Sequence, residues 1–351
     1  LAIVTARKGR FQPPSISPYP PRVADPPTLL ELPGMAEALL RTEKGLRRAI
    51  DSDEPLMTKL SRHLIDAGGK RIRPGLTIAS AQALAEHPKA PTDDVIRGGV
   101  AVELVHQGSL YHDDVIDGAE TRRNVKSVNV RWGNREAILA GDYLLARASE
   151  IAADLGTEVA RLLASTIAAL CEGQVREVRA AFDPDRTEGA YLASISGKTA
   201  ALLAASARIG GIVAGHPQEA VDALSAFGHH YGLAFQVVDD LLDVMATDEE
   251  LGKPAGNDLV EGVYTLPVIR ALAGSAGPDL RSMLGGPMDL ATRDRARDLV
   301  RADAAIADTV ATAHGFTDQA RRDLASLPPT PAIRTLQVTC DLLADQMSPF
   351  S

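Results

Sequence analysis

Three aspartates one helical turn apart, followed by a pair of arginines, mark the segment His106–Arg123, HQGSLYHDDVIDGAETRR. On a helix Asp113 and Asp117 lie about 40° apart around the axis, so both carboxylates leave one face, with Asp114 beside them. Mg²⁺ prefers oxygen ligands and is usually held by one or two carboxylates together with substrate phosphates. The planar donor fork of an arginine suits phosphate oxygens. The segment therefore predicts metal and phosphate chemistry.

A second acidic array strengthens this interpretation, because a single array of this kind is often only a solvated helix face. The segment 235–244, FQVVDDLLDV, repeats the spacing with Asp239, Asp240 and Asp243. These aspartates are embedded in apolar residues, so we expect a largely buried helix whose carboxylates are costly to keep ionised without a cation. Two buried acidic arrays indicate shared metal ions.

A basic loop precedes the first array. Residues 68–74, GGKRIRP, combine flexible glycines, three basic side chains and a proline at a first helical position. One interpretation is an ordinary helix connection with solvated charge. The other is an anion site, in which N–H groups at a helix start and the charges of Lys70 and Arg73 hold a diphosphate. The two neighbouring arrays favour the anion site.

The segment SGKTA, residues 196–200, resembles part of a P-loop. The GxxxxGK spacing is absent, however, and the sequence before it does not have the pattern of a strand. The sequence therefore excludes a P-loop nucleotide triphosphatase.

Composition favours helices: of 351 residues, 45% are hydrophobic and only 4% aromatic, with Ala and Leu prominent. A formal net charge of −9 argues against nucleic acid as the main partner. Cys171 and Cys340 lack metal-ligand spacing, which predicts buried thiols in a reducing cytoplasm. Since no apolar run reaches the roughly 18 residues that span a bilayer, we expect at most peripheral membrane contact.

The chain divides into a proline-rich tail, residues 1–33, which we predict to be disordered, and a single all-α domain, residues 34–351. Long segments that are apolar on most faces indicate helices surrounded by other helices. Hardly any segment has the pattern of a strand. The periodicity predicts helices over 35–50, 55–67, 74–85, 92–116, 134–155, 157–181, 188–213, 218–245, 264–273, 293–302, 303–325 and 331–346.

In combination and order, five motifs resemble those of the trans-isoprenyl diphosphate synthases of the polyprenyl synthetase type, especially the bacterial medium- and long-chain enzymes. They are GGKRIRP, HDDVID with its arginines, GKT, FQVVDDLLD and GKPAGNDLVEGVYTLP. The resemblance runs from about Met35 to the C-terminal helix. It implies an all-α isoprenoid-synthase helical bundle around a central cavity and a cytoplasmic homodimer.

The implied activity condenses isopentenyl diphosphate with an allylic prenyl diphosphate. In this family three Mg²⁺ ions and cationic side chains assist ionisation of the allylic C–O bond, and the departing diphosphate serves as the base. The metal ligands implied are Asp113, Asp114, Asp117, Asp239, Asp240 and Asp243, of which the first five, with Lys198, are assigned to catalysis. The isopentenyl diphosphate ligands implied are Lys70, Arg73, His106 and Arg123. The allylic diphosphate ligands implied are Arg122, Lys198, Thr199, Gln236 and Lys253.

Two departures from the family pattern leave alternatives open. Val263 stands where many relatives carry Lys, which puts one allylic phosphate contact in doubt. Gln107, Gly108 and Ser109 replace a common Thr-Ala-Thr of long-chain relatives. The alternatives are a geranylgeranyl diphosphate synthase, a non-catalytic synthase subunit and a class I terpene cyclase. GGKRIRP discriminates against the cyclase, which needs no isopentenyl site, and the presence of all six aspartates discriminates against the non-catalytic subunit.

Product length is predicted from the helix that carries the first array. Counting back from Asp113, Ser109 and then Val105 lie near the same face, each about 5.4 Å farther from the metals, with Gly108 alongside. In this family bulky residues there close the product tunnel, so small ones resemble enzymes that pass beyond twenty carbons. The alternative is that Gly108 and Ser109 are small only to let a neighbouring helix pack closely.

Overall fold

The computed structural model describes residues 28–247 and 255–350, and these residues are almost entirely helical. The helices are α1 Thr28–Glu31, α2 Met35–Ala49, α3 Pro55–Asp66, α4 Ile72–Ala81, α5 Asp93–Ile116, α6 Val128–Trp132, α7 Asn134–Asp154, α8 Thr157–Arg179, α9 Glu188–Ile195, α10 Ala201–Val213, α11 Gln218–Met245, α12 Asn257–Glu261, α13 Leu266–Ala273, α14 Gly277–Arg281, α15 Leu290–Arg301, α16 Ala305–Asp323 and α17 Pro331–Asp345. A π-helical turn, Ser196–Ala200, joins α9 to α10, and Ser348–Phe350 form a 3₁₀ turn. One antiparallel hairpin pairs β1, Thr121–Arg122, with β2, Val125–Lys126.

The all-α prediction is confirmed, and the long helices agree with their predicted bounds to within a few residues. The helix predicted to begin at Pro74 begins at Ile72, so the proline occupies its third position. The helix predicted over 188–213 is interrupted by the π-helical turn. Cys171, predicted to be buried, is exposed, because it lies on an outward face of α8.

The last residues assigned to the disordered tail form structure. Residues 28–31 are helical, and Leu32 is only 2% exposed. Leu29 packs against the core, with its side chain close to Gly75 of α4. The apolar spacing of these leucines is enough to dock this short helix. Residues 1–27 of the predicted tail lie outside the described residues.

Two helices form the centre of the fold. Helix α5 packs along α7 and also contacts α2, α4 and α10, and α11 packs between α10 and α16. Being enclosed on most sides, both are apolar on most faces, as expected for helices inside a bundle. Their buried side chains belong to one continuous hydrophobic cluster. Within the described ranges, no helix combines the length and the apolar character needed to cross a membrane.

The C-terminal end of α11 is fixed by two arginines of α15. Arg297 donates from Nε to the carbonyl of Val244 at 2.7 Å. Arg301 donates from Nε to the same carbonyl at 2.8 Å and from Nη2 to Met245 O at 2.7 Å. The last carbonyls of a helix have no partner inside it, and cations there also complement its dipole. The helix that carries the second array is therefore held rigidly beyond its last aspartate.

Candidate active site

The first aspartate array occupies the last turn of α5. The N–H of Asp117, which caps the helix, donates to Asp113 O at 2.8 Å, so these two aspartates are one helical turn apart as predicted. Asp114 points elsewhere: it is 1% exposed, and its Oδ1 accepts from both Nε and Nη2 of Arg122 at 2.7 Å. Its buried Oδ2 has no hydrogen-bond partner among the described residues.

The hairpin after α5 places the two predicted arginines on different sides. Its turn residues Arg123 and Asn124 have φ of 53° and 61°. Two consecutive residues with positive φ are typical of a type I′ turn, which fits the twist of a two-residue hairpin. Arg122 consequently faces Asp114, whereas Arg123 reaches the loop before α4. Sequence analysis missed this hairpin, because Arg-Asn is not the usual Asn-Gly or Asp-Gly signal and each strand has only two residues.

A cluster of positive charge lies beside this loop, where the isopentenyl diphosphate ligands were predicted. Arg123 donates from Nη1 to the carbonyls of Leu64, at 2.9 Å, and of Gly68. Burial lowers the pKa of His106 well below its usual value, and the nearby arginines, Arg73 first, lower it further, so this imidazole is neutral. The buried Nε of Arg73 has no hydrogen-bond partner in the described ranges. The predicted Lys70 is exposed at the edge.

A buried network that sequence analysis did not identify holds this basic loop in place. Arg71, with φ of 50°, precedes α4 and donates from Nη1 to Glu103 Oε1 at 2.8 Å, and it forms a second ion pair with Glu43. Gln107 Nε2 donates to the same Glu103 oxygen at 2.6 Å. A paired arginine in an unfavourable backbone conformation is tolerated only where surrounding contacts over-determine it. The network therefore fixes the backbone between Lys70 and Arg73.

The second array on α11 is buried less uniformly than predicted. Asp240 and Asp243 are each 3% exposed, but Asp239 is exposed, which corrects the expectation that the whole array is buried. The difference arises because the chain around residues 255–258 covers Asp243: its Oδ2 accepts from the N–H of Asp258 at 3.3 Å. Asp239, one turn earlier, lies beyond this cover.

Asp240 is the end of a chain of side-chain hydrogen bonds from α9 and the π-helical turn. Tyr191 Oη donates to Asp240 Oδ2 at 2.5 Å, and Gln236 Nε2 donates to Asp240 Oδ1 at 2.8 Å. Thr199 Oγ1 donates to Gln236 Oε1 at 2.7 Å. Three of the predicted residues, Thr199, Gln236 and Asp240, are thus brought into direct contact.

Lys198 is positioned by a close approach of two backbones. A Cβ on Gly173 of α8 would lie 2.4 Å from the backbone nitrogen of Lys198, and a Cβ on Gly197 would lie 2.6 Å from Ala169 O. Neither glycine can therefore carry a side chain unless the backbones separate. The π-helical turn found here is a rare local geometry that is frequent at functional sites. It directs Lys198 towards Glu177, with which it forms an ion pair.

One pocket joins the two arrays. Its lining includes Asp117 of the first array, Asp240 of the second, and the Lys198–Glu177 pair between them. Burial raises the pKa of Asp113 to about 6, with Lys198 opposing this and Asp117 adding to it. Burial also raises the pKa of Asp240 to about 7, against the hydrogen bonds from Tyr191 and Gln236. Burial alone would lower the pKa of Lys198, but the negative charges of Glu177 and Asp113 outweigh this effect, so its pKa is raised.

These carboxylates fit a divalent cation that prefers oxygen ligands. Carboxylates whose pKa is raised by burial are short of positive charge, and Asp114 Oδ2 is a buried oxygen that lacks a donor in the described part of the chain. No three His, Cys, Asp or Glu side chains of the described residues converge closely enough to hold an ion by themselves. Mg²⁺ takes one or two carboxylates and completes its shell with water and substrate phosphates.

Comparison with known proteins decides the family. The family model for polyprenyl synthetase matches residues 54–300, a range that includes the basic loop, both arrays and the pocket between them. The chain belongs to the polyprenyl synthetase family. It is therefore a prenyltransferase with the isoprenoid-synthase fold, as the sequence motifs predict.

Individual members of the family match over most of their length. The chain is 42% identical to the nonaprenyl diphosphate synthase of Mycobacterium tuberculosis, covering 87% of this chain and 89% of that protein. It is 37% identical to component 2 of the heptaprenyl diphosphate synthase of Geobacillus stearothermophilus, covering 84% and 91%. Among solved structures, the polyprenyl synthase of Caulobacter crescentus, complexed with calcium and isoprenyl diphosphate, superposes with a TM-score of 0.85 at 32% identity, covering 93% and 99%.

The residues predicted to set product length lie on α5, and one of them, Gly108, faces α7. Val105 is fully buried, and Ser109 donates from Oγ to His106 O at 2.9 Å. A Cβ on Gly108 would lie 3.0 Å from Gly141 O and 3.2 Å from Leu145 Cγ of α7. This contact supports the packing alternative for Gly108. The tunnel hypothesis therefore depends on Ser109 and Val105.

Several pocket residues were not predicted from the sequence. Glu177, Arg186, Tyr191 and Asp258 all line the pocket. Asp258 belongs to the motif GKPAGNDLVEGVYTLP, which was a usable signal, whereas Glu177 lies in an ordinary charged helix face. Lys253, predicted as an allylic diphosphate ligand, lies outside the described residues.

Proposed function

We propose that this chain condenses isopentenyl diphosphate with an allylic diphosphate to make an all-trans polyprenyl diphosphate longer than twenty carbons. The observation that carries the proposal is the pocket in which Asp117 and Asp240, from two different arrays, flank Lys198. A diphosphate held there touches a cation and two separate sets of carboxylates. Such a site stabilises charge that develops on a departing diphosphate.

At the allylic end, Lys198 and Arg122 bind diphosphate oxygens, and Thr199 and Gln236 orient them through their hydrogen bond at 2.7 Å. We assign three Mg²⁺ ions to Asp113, Asp114, Asp117, Asp239, Asp240 and Asp243, where they would supply the Lewis acidity that helps diphosphate leave. Arg122, bonded to Asp114, orients that carboxylate in the free protein.

At the other end, we assign isopentenyl diphosphate to Lys70, Arg73, His106 and Arg123. Neutral His106 donates a hydrogen bond without adding charge, and the surrounding arginines supply the positive charge. This end needs no metal, because its charge is provided by the chain. The apolar bundle around both ends excludes water, which would otherwise quench an allylic cation.

The proposed product length is supported by two curated relatives, which are named nonaprenyl and heptaprenyl diphosphate synthases. The test incubates the purified chain with Mg²⁺, isopentenyl diphosphate and each allylic starter, and sizes the hydrolysed products by mass spectrometry. We expect products longer than twenty carbons. A product that stops at twenty carbons supports the geranylgeranyl alternative instead.

A second candidate is a catalytic subunit that acts only with a partner, because the relative from Geobacillus stearothermophilus is named as a component. The same incubation distinguishes the two candidates. A homomeric enzyme consumes isopentenyl diphosphate without a partner protein, whereas a component does not. Light scattering tests the homodimer that the resemblance implies. The cytoplasmic location stays a prediction of the sequence.

A further inference from the structure

Arg186 lies in the turn between α8 and α9, and this turn is tied to the segment that follows α12. The N–H of Phe182 donates to Gly262 O at 2.8 Å. Arg186 donates from Nη1 to Tyr264 O at 3.0 Å. Arg281 of α14 holds the outside of the turn by an ion pair with Asp185 at 2.7 Å. The backbone of the turn therefore fixes the guanidinium of Arg186 at one place in the pocket wall.

The charge of Arg186 is only partly compensated by the protein: burial lowers its pKa, and Glu177, the strongest of the acidic groups that oppose this, is not paired with it. The residue is 5% exposed, and its Nε and Nη2 atoms are buried without a hydrogen-bond partner among the described residues. In the same ranges no carboxylate forms an ion pair with it, and the centroid of the Tyr191 ring lies 5.5 Å from the guanidinium carbon. A buried cation in this state is strongly unfavourable. A buried arginine in this state is expected where an anionic ligand binds to it.

The surroundings define the chemistry of that anion. Arg186 lines the same pocket as Lys198 and Asp240. Tyr191 connects Arg186 with Asp240, because its ring lies beside the guanidinium and its hydroxyl donates to the carboxylate. Val263 forms the neighbouring wall and brings no charge. Two parallel N–H donors suit phosphate oxygens, and arginine is the usual residue for such fork-like recognition.

We propose that Arg186 is a further ligand of the allylic diphosphate, to which its guanidinium donates. This inference rests on the proposed function, because it places the allylic diphosphate in this pocket. The proposal predicts how Arg186 affects the stability of the free protein. A ligand-binding arginine that lacks a partner destabilises the free protein, whereas an arginine kept for structure stabilises it.

The test compares Arg186→Gln, Arg186→Lys and Arg281→Gln with the wild-type chain. Glutamine keeps a donor for Tyr264 O but removes the charge, and lysine keeps the charge but loses the fork. Arg281→Gln is the matched control, since Arg281 holds the same turn and lies outside the pocket lining. Three quantities are measured: the KM of each substrate, the Tm of the free chain, and the rise in Tm caused by Mg²⁺ with inorganic diphosphate.

For Arg186→Gln we expect the KM of the allylic substrate to rise roughly tenfold to hundredfold, as for loss of a charge-assisted contact. The KM of isopentenyl diphosphate should stay near that of the wild type, the Tm of the free chain should not fall, and the diphosphate-induced rise should shrink. Arg186→Lys should lie between, and Arg281→Gln should retain both KM values. Adding Val263→Lys to Arg186→Gln should restore part of the affinity, because it returns a cation to the same pocket.

A lower Tm or loss of folding in Arg186→Gln, or equal effects on both KM values, would overturn the assignment and make Arg186 structural. Absence of turnover in the wild-type chain is a different failure, since it contradicts the proposed function. The response to inorganic diphosphate still tests Arg186 in that case, because it needs no turnover: an unchanged response in Arg186→Gln contradicts the proposal.

Discussion

The two ends of the active site handle negative charge in opposite ways. At the end that we assign to isopentenyl diphosphate, Arg73 and Arg123 lie close to a neutral His106, and a buried Arg71–Glu103 network fixes the loop beneath them. At the allylic end buried carboxylates dominate, and burial raises the pKa of Asp240 to about 7. On the proposed assignment, the first end binds an anion directly, and the second is completed by the cations that arrive with the substrate. Only the allylic substrate should then depend on Mg²⁺ for binding.

The largest effect is expected from removing a carboxylate of the metal-dependent end. Asp113→Asn and, separately, Asp239→Asn should lower kcat by about 10²–10³-fold, because charge stabilisation of the departing diphosphate is lost. The fold should persist, and the Tm of the metal-free chain should not fall, since a repelling charge is removed. Steady-state turnover and thermal unfolding measure both effects. Near-native turnover in Asp239→Asn would show the metal assignment to be wrong, and Asp279→Asn, on exposed α14, is the control.

A more selective effect is expected at the metal-independent end. Arg73→Gln should raise the KM of isopentenyl diphosphate roughly tenfold to hundredfold, because a charge-assisted contact is lost. The KM of the allylic starter should change little. Binding of a non-reactive isopentenyl analogue, followed by calorimetry with and without Mg²⁺, should be weakened equally in both conditions. Equal effects on the two substrates contradict the division into two ends, and Arg62→Gln, on nearby α3, is the matched control.

A smaller effect concerns stability and pH in the metal-free chain. The pKa values of Asp113, about 6, and Asp240, about 7, lie above the ordinary value of 3.8. A raised pKa contributes stability that is present at low pH and is lost as pH rises through the raised value. The lowered pKa values of His106, His216 and His229 act in the opposite direction over the same pH range. Lowering the pH from 8 to 6 in the presence of a chelator should therefore raise the Tm of the wild-type chain relative to that of Asp240→Asn, which keeps these histidines, by roughly 2–4 °C.

Saturating Mg²⁺ should flatten this dependence, because it stabilises the ionised carboxylates at the higher pH. Asp240→Asn should reduce the slope in the chelated protein, and Asp279→Asn should leave it as it is. The same change in Tm from pH 8 to 6 in the wild-type chain and in Asp240→Asn contradicts the electrostatic account of the allylic end.

The smallest effect on turnover is expected away from both ends. Ser109→Phe should shorten the product while turnover persists, because a ring in the tunnel stops elongation and leaves the aspartates in place. Product length is measured after hydrolysis by mass spectrometry. Gly108→Phe should instead destabilise the fold, since even a Cβ there lies 3.0 Å from Gly141 O. An unchanged product distribution in Ser109→Phe means that this helix does not set the length.

The long helices and both arrays were predictable, because their signals are local. Apolar periodicity defines α5 and α11, and the spacing of Asp113 and Asp117 fixes their common face. The inward turn of Asp114 was not predictable, since it depends on a hairpin that brings back Arg122 from eight positions later. Glu177 and Arg186 were missed for a similar reason. Glu177 acts through the contact of α8 with the π-helical turn, and Arg186 through the contact of the turn after α8 with residues 262–265. Such meetings are set by tertiary packing.

In the free protein Lys198 is already paired with Glu177, so an anion can bind Lys198 only in exchange for the carboxylate of Glu177. An anion that brings no cations, such as chloride or monophosphate, would leave Glu177 without a partner, whereas a diphosphate with bound cations would compensate Lys198 and Glu177 together. The displaced Glu177 then joins the carboxylates that attract those cations. If Lys198 binds the allylic diphosphate as proposed, this ion pair would favour diphosphate over simple anions before any substrate carbon is recognised.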